Sequence, residues 1–170
     1  LVFRVDTIAL FVAMGWGSAA QTFVGLNLGA GQIERATQSG WLTAAFDAAT
    51  NLALVALLLR YAYPILRVFG DEPAALVLAE QYLRVVAPAY LALGAAVVLG
   101  NAMAGAGATR TTLLLDLVTI LGVQLPLSLG VLELAQGDLG DLFRCVAITH
   151  VASVVLYAFA YGRGGWRGAT

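Results

Sequence analysis

The sequence is short of charge. Only 11% of its 170 residues are charged, against 61% from the hydrophobic set, and the formal net charge is −1. Soluble domains carry about 25% charged residues. Nineteen ionised side chains cannot coat a soluble globule of this size, and nine cations without a basic cluster exclude nucleic acid as a partner. The same apolar excess excludes a disordered chain. There is one cysteine, Cys145, inside an apolar run, so neither a disulfide framework nor a zinc cluster is available. Lysine is absent and all nine cations are arginine, a bias that alanine richness ascribes to base composition rather than function. No basic leader with a small-residue cleavage site precedes the first apolar stretch. Paired-acid, HExxH and P-loop patterns are missing, and the glycine pairs follow helices instead of opening them, which argues against an enzyme.

What is present is long uncharged sequence. A bilayer core of about 30 Å takes roughly 20 helical residues to cross. Thr7 to Ile33 and Val85 to Thr109 carry no charge at all. The runs predict an all-α, polytopic membrane bundle of about five spans, over 5–28, 36–69, 76–105, 111–132 and 142–162. Strands are excluded because no run alternates with period two. The lipid bilayer is therefore an expected partner.

The breaks are chemically legible. Gly29-Ala30-Gly31 and Gly105-Ala106-Gly107 read as glycine-rich helix ends, and two spans apart they fall on one face of the membrane. Gly70-Asp71-Glu72-Pro73 predicts a turn that restarts a helix with Asp71 as its cap, and Ala74 to Arg84 a wet lead-in to the third span. Gln136 to Asp141 reads as a polar loop. The glycine-turn face carries Arg35, Arg110, Arg163 and Arg167, and the arginine counts lean only slightly towards that face being cytoplasmic.

Intramembrane polar residues are functional candidates by default. Asp47 falls near mid-membrane and is a candidate proton carrier; Arg60, Tyr61 or a water-filled crevice could equally neutralise it for structural reasons. Asp116 lies six residues past Arg110, where it could pair with that arginine, reach the interface, or hold a cation. Asn101 and Gln124 could bond neighbouring helices or coordinate a stripped cation. His150 reads as a carbonyl partner before a proton relay. Trp41, Trp166, Tyr61 and Tyr63 read as interfacial anchors, and Pro126 as a kink and hinge.

Several segments together resemble a known family. Val24-Gly25-Leu26-Asn27-Leu28-Gly29-Ala30-Gly31, followed by Glu34-Arg35-Ala36, resembles the VGQxLGAGxxxRA helix end of the multidrug and toxic compound extrusion transporters. Phe69 to Pro73 and Tyr82-Leu83-Arg84 resemble that family's external turn and the helix start after it. Gly105-Ala106-Gly107-Ala108-Thr109-Arg110 resembles its G-x-G-D-T-[RK] helix end, Leu125-Pro126-Leu127 its proline-containing helix, and Gly165-Trp166-Arg167 its closing G-x-W-[KR]. Leu26 stands where the family has Gln, and Ala108 where it has Asp. The acid some members carry in the tenth helix has no counterpart between Val85 and Thr109.

The resemblance implies helices eight to twelve of a twelve-helix, two-lobe protein, the seventh helix being absent. It implies antiport of Na⁺ or H⁺ against small organic cations or drugs, with no other cofactor. The partner would be the missing N-terminal lobe, the location the cell inner membrane, and the C-terminus cytoplasmic. Gly25, Asn27, Gly29, Gly31, Arg35, Gly105, Gly107, Thr109 and Pro126 are then structural motif positions, and Asp47, Asn101 and Asp116 the transport candidates. A lipid-linked sugar flippase of the same superfamily and a non-transporting membrane subunit are the rivals. The native gene product is expected to exceed twice these 170 residues. Mass spectrometry of the protein from its source membrane checks this; a 170-residue mass would favour the subunit.

Overall fold

The computed structural model describes residues 2–134 and 137–168; Gln136 and the side chains of Glu133 and Leu134 lie outside the described residues. The described residues are helical, with no strand among them. In chain order the helices are α1 (Val2–Gly29), α2 (Ile33–Arg60), α3 (Ala62–Arg67), α4 (Pro73–Val86), α5 (Tyr90–Gly105), α6 (Thr109–Leu117), α7 (Leu125–Leu129) and α8 (Leu139–Arg163). They make five stretches long and apolar enough to cross a membrane: α1, α2, Pro73–Gly105, Thr109–Leu132 and α8. The described residues form an all-α bundle of the polytopic membrane class.

The second helix is shorter than hydropathy predicts. Instead of one helix over 36–69, α2 ends at Arg60, Tyr61 leaves helical geometry (φ −125°, ψ 30°), and α3 restarts at Ala62. Pro64 is the cause. It has no N–H to donate to the Arg60 carbonyl, and its ring would collide there, but it is tolerated in the first turn of a new helix. Pro88 acts more gently. It sits in a 3₁₀ turn, Ala87–Ala89, that joins α4 to α5 without breaking the crossing.

The expected wet lead-in is two-faced: Leu76, Ala79, Leu83 and Val86 of α4 are buried in a cluster with Val55, Leu58 and Leu66, while Val77, Leu78, Gln81 and Arg84 are exposed. Nor is Asp71 the cap. Glu72 holds that position, and its side chain makes no capping bond. At α8, Asp138 does cap, its carboxylate accepting from the Asp141 N–H at 3.0 Å. Pro126 lies between two π-helical stretches, Val118–Gln124 and Gly130–Leu134. Pro126 has no N–H to give the preceding turn, and the helix widens beside it, with the Leu125 N–H donating to the Ile120 carbonyl five residues back.

α5 is the central rod, packed against α1, α2 and α8. The fourth crossing is the least covered by protein; no residue of α6 is buried, and Leu113, Leu114, Leu117 and Leu121 are exposed, as lipid contact requires. Gly31 (φ 72°) and Gly107 (φ 83°) turn the chain after α1 and α5 in the left-handed region that favours glycine. Gly25 and Gly105 bring those helices into backbone contact: a Cβ on Gly25 would sit 3.0 Å from the Gly105 carbonyl oxygen. The two glycine turns therefore share one end of the bundle. Tyr161, near the end of α8, donates to the Ala36 and Thr37 carbonyls at 3.2 and 3.3 Å, which brings the start of α2 to the same end.

A Cβ on Gly105 would collide with the Gln21 carbonyl and come within 2.9 Å of the Gln21 Cα, which is backbone and cannot swing away. Gly105→Ala is expected to destabilise the fold by about 1–3 kcal/mol. Thermal unfolding of the purified protein in detergent measures this, with Gly29→Ala, where a Cβ meets nothing within 4 Å, as the neutral control.

Candidate functional site

Three polar constellations lie among the helices of the bundle, and only one of them is fully buried. The first is an open cavity of about 340 Å³ between α5, α6 and α8. Gly100 and Asn101 of α5, Thr112 and Asp116 of α6, and Ser153 and Tyr157 of α8 line it. Two of the three transport candidates, Asn101 and Asp116, thus share one space. Tyr157 donates to Asp116 Oδ1 at 2.7 Å and lies 3.1 Å from the Thr112 carbonyl. Its ring can enter because Gly100 has no Cβ; one there would stand 3.0 Å from the ring. Asn101 Nδ2 donates to the Val97 carbonyl of its own helix at 2.8 Å and packs over Gly17 of α1.

The expected partner of Asp116 was Arg110 or the interface. Among the described residues its hydrogen-bond partner is Tyr157, a neutral donor from another helix. The tyrosine orients the Asp116 carboxyl at the cavity wall without pairing it with a cation.

The second constellation holds Asp47, fourteen residues after Ile33 and thirteen before Arg60 in α2, and fully buried. Arg60 does not neutralise it: its guanidinium stands over the Tyr61 ring, 5.1 Å from the centroid. Asp47 Oδ1 accepts from Asn51 Nδ2 at 2.9 Å, one turn on. Asp47 is not brought to the cavity. Gly94, which faces it from α5, precedes Asn101 by seven residues, about 10 Å along the helix.

The third was not singled out in the sequence. Asp6 of α1 accepts from Tyr82 of α4 at 3.0 Å and from Tyr90 of α5. Tyrosines 76 and 84 residues away leave no local signal.

The motif positions other than Pro126, which lies within the fourth crossing, fall at the glycine-turn end. Asn27 Nδ2 donates to the Phe23 carbonyl at 2.8 Å and to Ser39 Oγ of α2 at 3.1 Å, clamping α1 to α2. Arg35 donates to Gln32 Oε1 at 3.0 Å, beside the Gly29–Gly31 turn. Thr109 opens α6, and its carbonyl accepts from Thr112 Oγ1 at 2.9 Å. Trp166 is not an interfacial anchor. It is buried, stacks on Tyr161 with centroids 4.7 Å apart, and donates Nε1 to the Tyr161 carbonyl at 2.8 Å. The left-handed turn at Gly164 (φ 71°) folds it back under the bundle.

Comparison with known proteins agrees with the motif resemblance. A family model described as MatE matches residues 1–129. A protein of Shewanella oneidensis named FAD transporter is 29% identical over 125 residues, covering 74% of this chain and 28% of its own length. The chain thus spans little more than a quarter of that relative. No solved structure matches.

Tyr157→Phe removes the donor to Asp116, which is itself exposed, and is expected to cost about 0.5–1.5 kcal/mol. Equilibrium unfolding of Tyr157→Phe, Asp116→Asn and the double variant measures it; the double-variant cycle should return a coupling of at least about 0.5 kcal/mol.

Proposed function

The chain belongs to the MatE family, and we propose that it forms the C-terminal lobe of a secondary active exporter. That exporter antiports Na⁺ or H⁺ against small organic cations or drugs by alternating access. Its partners are an N-terminal lobe and the bilayer of the cell inner membrane, and the glycine-turn end, with the C-terminus, faces the cytoplasm. The observation that carries this reading is the cavity wall. Asn101 and Asp116 border one open cavity on the bundle, and Asp116 is held there by a tyrosine and not by an arginine. An acid kept in a span without a counter-ion has its use in binding a mobile cation. Cargo and coupling ion that compete for such a carboxylate exchange across the membrane as the lobes rock.

The relative's name supports a second reading, in which the cargo is a flavin dinucleotide. An anionic cargo is disfavoured by a carboxylate wall, unless a bound cation accompanies it. The same wall disfavours the lipid-linked sugar flippase, which would line its path with cations: none of the residues lining this cavity is Arg or Lys. A non-transporting subunit would need no cation-accepting wall at all.

Reconstitution of the whole protein in proteoliposomes tests the proposal. Ethidium efflux should follow an imposed proton or sodium gradient, and Asp116→Asn should lower it by about tenfold or more, the loss of one charge-assisted contact. FAD movement with no ethidium efflux would transfer the assignment to the dinucleotide. Absence of both under either gradient would favour the structural subunit.

A further inference from the structure

Asp47 and Asn51 stand one turn apart on α2, both fully buried. Their mutual bond leaves two oxygens, Asp47 Oδ2 and Asn51 Oδ1, with no hydrogen-bond partner among the described residues. Each unpaired buried acceptor costs about 1–3 kcal/mol, and more where it is charged. The pair has acceptors to spare and lacks a positive hydrogen or cation.

Packing decides between them. α5 comes so close at Gly94 that a methyl group there would run into Asp47 Oδ2 and Asn51 Nδ2. Hard cations take six or more oxygen ligands, and only two free oxygens are offered under that roof. Nor does either residue border the cavity that Asp116 lines. A proton needs no coordination shell, only one oxygen to sit on and another to point at.

We propose that Asp47 and Asn51 form a proton-binding site, separate from the Asp116 cavity, in which Asp47 takes the proton and Asn51 is the positioning residue. With Asp47 ionised, the Asn51 NH₂ donates to it. With Asp47 protonated, the amide turns over and its carbonyl oxygen accepts the new O–H. One O–H bond forms on the carboxyl as one breaks in hydronium, and the reverse step returns the proton to water. The two amide orientations occupy nearly the same volume, so the α5 backbone is no obstacle to the turn.

No charged neighbour substitutes for the proton. The elements packed on α2 carry Arg4 and Asp6 on α1, Tyr63 and Arg67 on α3, Glu80, Tyr82 and Arg84 on α4, and Tyr90 on α5. None of these is a hydrogen-bond or ion-pair partner of Asp47; Tyr82 and Tyr90 serve Asp6, Arg84 serves Glu80, and Arg67 stands near Asp71. From α1, Trp16 Nε1 donates to Thr50 Oγ1 at 2.9 Å, beside Asp47 and not to it. Glu34 and Arg60 lie at opposite ends of α2 itself.

The inference rests on the exporter reading only for the use to which the proton is put. Its test therefore needs no cargo. Infrared difference spectra of the full-length protein in lipid nanodiscs, recorded on pH jumps, report protonated carboxyls by their C=O stretch. One such band should disappear as pH rises, be absent from Asp47→Asn, change frequency in Asp47→Glu, and stay unmoved when NaCl is added at fixed pH. Asn51→Leu should keep the band but raise its frequency, since the O–H has lost its acceptor.

Loss of the band on adding NaCl at constant pH would make this a metal site and overturn the proposal. So would survival of every carboxyl band in Asp47→Asn, or a band indifferent to Asn51→Leu. The sodium arm uses wild type alone, and Asp47→Glu assigns the band if Asp47→Asn does not fold. Failed ethidium efflux beside a titrating band would strike the cargo assignment and leave the proton site standing.

Discussion

α1 and α5 touch backbone to backbone where Gly105 meets the carbonyl of Gln21, and the placement of the other helices follows from that contact. Between helices in lipid there is no hydrophobic drive, because acyl chains are as apolar as leucine; association rests on close packing and polar contacts. α5 is built for this. Gly94 admits the carboxyl of Asp47, Gly100 the ring of Tyr157, and Gly105 the backbone of α1, so three neighbours each have a notch on one rod. Asn101 fits over a notch in the other direction, on Gly17 of α1. Moving α5 by one residue would misplace every one of these contacts at once.

Three carboxylates within the crossings take neutral donors: tyrosines for Asp6 and Asp116, an amide for Asp47. Glu80 and Asp141 pair instead with Arg84 and Arg144 on their own helices. Five arginines lie over aromatic rings, Arg4 on Phe69, Arg60 on Tyr61, Arg67 on Tyr63, Arg163 on Phe159 and Arg167 on Trp166. A guanidinium over a ring face is partly desolvated without being neutralised. Had those arginines paired with Asp6, Asp47 and Asp116, each carboxylate would be closed in a salt bridge, most costly to open at the buried Asp47.

Hydropathy and glycine placement made the crossings, the two left-handed turns and their shared end legible, because both signals are local. What was missed in the fold was local too, but masked. Pro64 and Pro88 lie in sequence apolar enough to read as uninterrupted, and both lack the N–H, so only their surroundings in the fold make one end a helix and the other tighten a turn. Trp166 has the composition of an anchor and became core because Gly164 reverses the chain. In the site, Asp47, Asn101 and Asp116 were visible as polar residues at depth. Their partners were not: Tyr157 is 41 residues from Asp116, and nothing in a single sequence says which hydroxyl meets which acid. Asn51 was within reach, four residues from Asp47 on the same helical face, and drew no notice because a paired amide and acid also read as ordinary helix polarity.

The two acids differ in access, and that difference bears on how a gradient could drive transport. Asp116 faces an open cavity; Asp47 is sealed beneath the α5 backbone. A sealed group exchanges its proton only when its roof lifts. The roof is Gly94, and the helix that carries Gly94 also carries Gly100 and Asn101 into the cavity, about 10 Å further along the same rigid rod. Any displacement of α5 that uncovers Asp47 therefore alters the cavity wall, and any ligand that fixes the wall resists uncovering Asp47. The linkage needs no chain of intermediate residues, because one helix borders both sites. It requires only that proton and cargo favour different positions of α5, the differential affinity without which neither can shift the equilibrium.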